Sequence, residues 1–152
     1  MRNPMDINTR DFGTVSVEED ALYHFPEGLY GFENIQEYCV FSQSFDEEIA
    51  FLYLQAKDSL DPCFLVFEPW DLHPGYAPSL SEADLNALDA TGPEELIFLA
   101  IATISPNPEE LSLNVKSPVV LNPKTRTGRQ VILENRDYPI RFQPFLNLGK
   151  GE

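Results

Sequence analysis

The 152-residue chain carries 10 Lys or Arg against 25 Asp or Glu, a formal net charge of −15. Its 43% apolar and 12% aromatic content is too hydrophobic for a disordered polymer, and a chain of this length buries a core without disulfide or metal staples, so a single domain over residues 1–152 is expected. So acidic a body repels phosphate backbones and anionic membranes, which argues against direct nucleic-acid binding or membrane association and favours basic protein partners.

The N-terminal MRNPMDINTRDFG has no apolar leader core, and no run approaches the ~20 apolar residues that span a bilayer, so a cytoplasmic protein is expected. Short β-type runs bounded by Gly, Pro, Asp and Asn then dominate. They place strands at 13–17, 22–25, 38–43, 50–55, 63–68, 96–104, 111–116, 119–121, 130–134 and 140–142. Their close spacing favours antiparallel neighbours, because parallel strands need long crossovers. The fold class read from this pattern is mainly β, an antiparallel barrel-like single domain with one or two short helices.

Between the second and third runs lies PEGLYGFE, residues 26–33. Gly28 and Gly31 lack the spacing of a phosphate cradle and read as a tight turn. Leu29, Tyr30 and Phe32 either cap the core or form an exposed contact site, with Glu27 and Glu33 as charge complements to a basic partner. Cys39 and Cys63 sit in apolar runs (YCVF, CFLVF), where a free thiol serves as a small core hydrophobe. FLVFE and LIFLAIAT are continuously apolar, as strands buried on both faces are, whereas LSLNVK alternates. Trp70, in EPWDLHPGY, reads as loop packing before binding.

PSLSEADLNALDATG signals a helix. Ser81 is a good N-cap, Glu82 and Asp84 face the positive end of the helix dipole, Leu80 and Leu85 have staple spacing, and Gly92-Pro93 is the expected stop. This helix is expected to cover an open end or edge of the sheet, with a further helical turn at Glu94 and Glu95. No nucleophile elbow, metal motif or cofactor fingerprint accompanies the two histidines, His24 and His73; catalytic, cofactor and metal residues are read as none. A small barrel enzyme using His24 or His73 with a loop carboxylate stands as the rival reading. Acidic pairs and triplets such as Asp46-Glu47-Glu48 read as solvated turns.

Charge is unevenly placed. Residues 115–152 hold seven of the 10 basic side chains and three of the 25 acids. NPKTRTGRQVILENRDYPIRF, 122–142, is the basic stretch. It reads as strand, loop and strand, with Gly128 supplying the positive φ of the loop and Lys124, Arg126 and Arg129 solvated beside it.

The segments FPEGLYGFENIQEYCVF, FLYLQAKDSLDPCFLVFEPW, the LSEADL helix, LIFLAIATI and LNVKSPVVLNPKTRTGRQVILENRDYPIR together resemble the flagellar assembly factor FliW family, in order from about residue 13 to 142. The last segment is the most specific, through Asn114, Lys116, Pro118, Asn122, Thr125, Gly128, Gln130, Leu133, Tyr138, Ile140 and Arg141. The aromatic FEPWDLHPGY loop departs from the family pattern. The resemblance implies a β-barrel-like fold without catalysis and a cytoplasmic regulator that binds flagellin. When free, and then expected to be a monomer, such a protein binds the translational repressor CsrA and weakens its hold on flagellin mRNA away from the RNA site. An acidic nucleic-acid mimic that plugs an RNA-binding groove is the competitive alternative.

Overall fold

A computed structural model describes residues 4–45 and 49–146; the Asp46-Glu47-Glu48 cluster lies outside the described residues. Among the described residues ten strands and one α-helix follow in order: β1 (Pro4–Thr9), β2 (Gly13–Glu18), β3 (Leu22–His24), β4 (Glu37–Ser44), β5 (Ala50–Ala56), β6 (Cys63–Phe67), α1 (Glu82–Ala87), β7 (Ile97–Thr103), β8 (Ser112–Leu113), β9 (Val119–Asn122) and β10 (Thr127–Gln130). The larger sheet runs β6-β5-β4-β3-β10-β9-β7, and β6 pairs β7 to close it into a seven-stranded barrel, with β8 added beside β7. Closure removes the free edges that would otherwise invite pairing with other chains. All ladders are antiparallel except the one-residue junction Thr127↔His24 between β10 and β3.

Alternation along β7 sorts its continuous apolar run to two cores. Leu99, with Ile97 and Ile101, faces the barrel interior, where Phe25, Leu29, Tyr38, Leu54, Val66, Val119 and Leu121 are packed. Phe98 and Ala100 face an outer layer with Leu88, Tyr76, Leu113, Val115, Val120 and Leu133. The residues flanking α1 thus cover the outer faces of β7 and β9, not an open end or edge of the sheet. A third cluster, built on Ile7, Val17, Cys39 and Phe41, seats the β1–β2 hairpin on β4 and β5. The sequence reading missed β1: its inward residues are Met5, Ile7 and Thr9, too few and too mixed to read as a strand alone. Buried Gln55 ties the hairpin down, accepting from Arg10 N–H at 3.0 Å and donating to the Ala56, Ser59 and Leu60 carbonyls.

Three local expectations change. The stretch 111–116 yields only Ser112–Leu113 as strand, because Asn114 turns the chain by accepting the Ser117 N–H at 2.9 Å. The ladder expected over 130–134 lies at Thr127–Gln130 instead. Val131 N–H donates to the Pro118 carbonyl, and a proline cannot return the bond. The run at 140–142 contributes a single bridge, Leu113↔Phe142.

The helix forms as its cap predicts, with Ser81 Oγ accepting the Asp84 N–H at 3.1 Å. It ends at Ala87, five residues before Gly92. Asp89 takes φ +54, its N–H donates to Asn86 O and the Ala90 N–H to Leu85 O, the paired bonds of a Schellman stop. Asn122 completes this terminus from β9, donating to Leu88 O at 2.7 Å. The expected turn at Glu94 and Glu95 is a 3₁₀ turn, Pro93–Glu95.

Candidate partner-binding surfaces

The turn after β3 is held by glycines that no other residue replaces without strain. Gly28 has φ +66, and a Cβ there would meet the Phe32 carbonyl oxygen at 2.6 Å and Glu33 Cα at 2.7 Å. Gly31 has φ +89. Between them the candidates divide: Leu29, 1% exposed, belongs to the barrel core, while Tyr30 and Phe32 stand 55% and 37% exposed. Phe32 packs edge-on against Phe64 at 5.8 Å. Leu29 is therefore the anchor of the turn, and Tyr30 and Phe32 are the rings it presents.

The basic stretch supports this turn from below. Gln130 Oε1 accepts the Tyr30 N–H at 3.0 Å while its Nε2 donates to Ser117 O at 3.1 Å. Arg129 donates from Nη1 to Glu27 and from Nε to Asp84 at 3.0 Å, joining the turn to the first turn of α1. Burial works against the Arg129 charge, and hydrogen bonds to Glu27 and Asp84 outweigh it, holding the guanidinium above its ordinary pKa. Arg129 is thus drawn inward and half-buried, not freely solvated. Arg126 carries the positive φ of the loop, +60, and donates to Pro123 O at 2.9 Å. Gly128 serves space instead: a Cβ there would lie 2.3 Å from the Phe25 ring. Glu33 accepts the Gly31 N–H at 3.1 Å, so it stiffens the turn from within.

A second surface escaped the sequence reading. Phe51 and Tyr53 on β5 and Leu65 and Phe67 on β6 point outward into a groove of about 780 Å³, flanked by Phe45 and Ile104. It opens between the two layers that cover the barrel wall among the described residues: the hairpin, packed on β4 and on Tyr53 of β5, and the α1 side, packed on β7 and β9. The available signal was that β5 and β6 are both continuously apolar (FLYL, FLVF), yet the one well-signalled helix cannot cover every outer face.

His24 Nδ1 lies 3.4 Å from Glu37 Oε2, and the same carboxylate lies 3.8 Å from Lys57 Nζ. His24 and Glu37 are register partners on β3 and β4, so their contact follows from cross-strand adjacency on the exposed face. His73 packs among the rings of Tyr76, Tyr138 and Phe142, the last at 4.6 Å. Trp70 donates from Nε1 to Tyr76 O at 2.7 Å and sets its ring edge-on to Tyr76 and Phe98. The departing FEPWDLHPGY loop is thereby part of the outer core. Among the described residues no group of three His, Cys, Asp or Glu side chains is placed to hold a metal, and Cys39 and Cys63 are free and buried. No helix of the described residues is long and apolar enough to cross a membrane.

Fold and surfaces define a small closed β-barrel that presents exposed aromatic groups in an acidic setting. The sequence profile described as "FliW protein" matches residues 6–144, and the chain belongs to that family. Relatives called flagellar assembly factor FliW include those of Geotalea uraniireducens, 33% identical over 96% of this chain and 87% of the relative, and Syntrophus aciditrophicus, 32% identical over 94% and 89%. That of Thermoanaerobacter pseudethanolicus is 32% identical over 90% and 91%. A crystal structure of the flagellar assembly factor FliW is similar at TM-score 0.81 and 26% identity, covering 93% of this chain and 97% of that one.

Proposed function

We infer that this protein is a cytoplasmic, non-enzymatic regulator of flagellar assembly that binds flagellin and, once free of it, binds CsrA and weakens the CsrA hold on flagellin mRNA. The observation that carries this reading is the family match across residues 6–144, supported by relatives that bear the name flagellar assembly factor. Tyr30 and Phe32 are the proposed apolar contacts, with Glu27 and Glu33 beside them as carboxylates for a basic partner. Leu29 acts through the turn it anchors. Antagonism without occupation of the RNA site has a physical basis, because a body of net charge −15 docked on an RNA-binding protein raises unfavourable potential against incoming phosphates.

Co-purification tests the reading. Mixed with flagellin or with CsrA at micromolar concentration, the protein is expected to elute as a complex with each in size-exclusion chromatography. Absence of both complexes would reject it. Tyr30→Ala and Phe32→Ala, both at exposed positions, are expected to weaken at least one complex while the fold is retained. The RNA-mimic alternative predicts that labelled RNA and this protein compete for one site on CsrA, whereas the favoured reading predicts a ternary complex with weakened RNA.

A further inference from the structure

The outer groove over β5 and β6 is independent of the Tyr30–Phe32 turn, with which it shares no lining residue. Its floor is a preformed chain of rings: Phe45 to Phe51 at 5.5 Å, and Phe51 to Phe67 at 6.1 Å. Phe45 and Ile104 at its margin are 57% and 69% exposed, a larger apolar presentation than isolated surface residues make. Among the described residues the lining includes one carboxylate, Glu109, and no Lys or Arg. Glu110, next in the chain, is bonded to Ser105 and Asn107, which fixes its carboxylate on the same loop.

The form of the occupant follows from the backbone. β5 is hydrogen-bonded to β4 and β6, and β6 to β5 and β7. β5 is paired on both sides over Leu52–Gln55 and β6 at Val66, and the groove lies on the outward face of these paired strands, so recognition falls to side chains filling an apolar trough. A helix, about 10–12 Å across with its side chains, presents one continuous apolar stripe to such a trough. The carboxylates of Glu109 and Glu110 and the net charge of −15 select cations on the flanks of that stripe. We propose that this groove is a docking site for an amphipathic helix of a partner protein, apolar on one face and flanked by Lys or Arg. This site goes beyond the function proposed above and does not depend on which partner the turn contacts.

The probe is a fluorescently labelled Leu/Lys peptide of about five helical turns with one apolar stripe. Its controls are a scrambled peptide of identical composition and a Leu/Glu peptide with the same stripe, all read by fluorescence anisotropy against the full chain. Saturable one-to-one binding of the Leu/Lys peptide is expected, with the other two weaker by about tenfold or more. Ile104→Asp and Phe45→Ser, both at exposed positions, are expected to weaken it by about tenfold, and Tyr30→Ala to leave it unchanged. Equal binding of the scrambled peptide would show mere charge attraction and overturn the proposal. So would undiminished binding by both groove variants, or a concentration-dependent dimer of the free protein that both variants abolish, which would assign the groove to a second copy. Loss of flagellin and CsrA complexes with this result intact would reject the proposed function and leave the groove assignment standing.

Discussion

Gly128 shows what single residues contribute to the family signature. Its reason lies in space rather than in turn conformation, since the ring of buried Phe25 occupies the place a side chain would take. Gly128→Ala should destabilise the fold by about 1–3 kcal/mol, as overpacking of a closed core does, measured by urea denaturation. Adding Phe25→Leu should recover part of that loss, a non-additivity expected of residues in contact. Tyr38 is the opposite case: among the described residues its buried hydroxyl has no hydrogen-bond partner, and burial pushes its pKa up to about 12. Tyr38→Phe should leave stability equal or higher, by up to about 1–3 kcal/mol, because an uncompensated polar atom leaves the core. Burial likewise pushes the Cys39 and Cys63 thiols from 9.0 up to about 11. The folded state then holds these protons more tightly than the unfolded state. Their contribution is intact below about pH 9 and declines as pH rises towards 11. Native protein at pH 8 should therefore resist thiol labelling that urea-unfolded protein undergoes at both sites. The sequence disclosed the burial of the cysteines through their apolar neighbours, whereas the pairing of Gly128 with Phe25, about a hundred residues apart, has no local signal.

At the scale of elements, α1 is six residues long, too short to persist alone. It stands because both ends are tied: Ser81 satisfies the Asp84 N–H, Arg129 reaches the Asp84 carboxylate, and Asn122 on β9 donates to the Leu88 carbonyl at the C-terminal end. Ser81→Ala should cost about 1 kcal/mol, and Asn122→Ala should cost more, since it strips a buried carbonyl of its donor; thermal or urea unfolding compares the two. Local chemistry makes the helix start readable but not its stop, because Gly92-Pro93 is the stronger breaker signal and Asp89 gives little warning of a left-handed conformation. The strands divide in the same way. β7 and β9 announced themselves by apolar runs that two cores absorb, while β1 depends on Cys39, Phe41 and Tyr53 arriving beneath it from elsewhere in the chain.

For the whole molecule, barrel closure through β6–β7 and the single Thr127↔His24 bridge was beyond any local pattern, though the antiparallel β character was not. The turn carrying Tyr30 and Phe32 could be singled out by its two glycines. The β5–β6 groove could not, because apolar runs announce burial and do not say which outer face is left uncovered. Charge was legible throughout, and it carries a prediction of its own. If the field of the acidic body weakens CsrA–RNA binding, that effect should shrink as salt shortens the screening length below its physiological value of ~8 Å, with the protein–CsrA complex still intact. Antagonism that is unchanged by salt would remove the electrostatic part of the account. The most direct test of the central claim measures CsrA binding to flagellin mRNA with this protein present, before and after flagellin is added. The account predicts weaker RNA binding with the protein alone and recovery when flagellin withdraws it; RNA binding that ignores the protein, or antagonism that flagellin does not relieve, would contradict it.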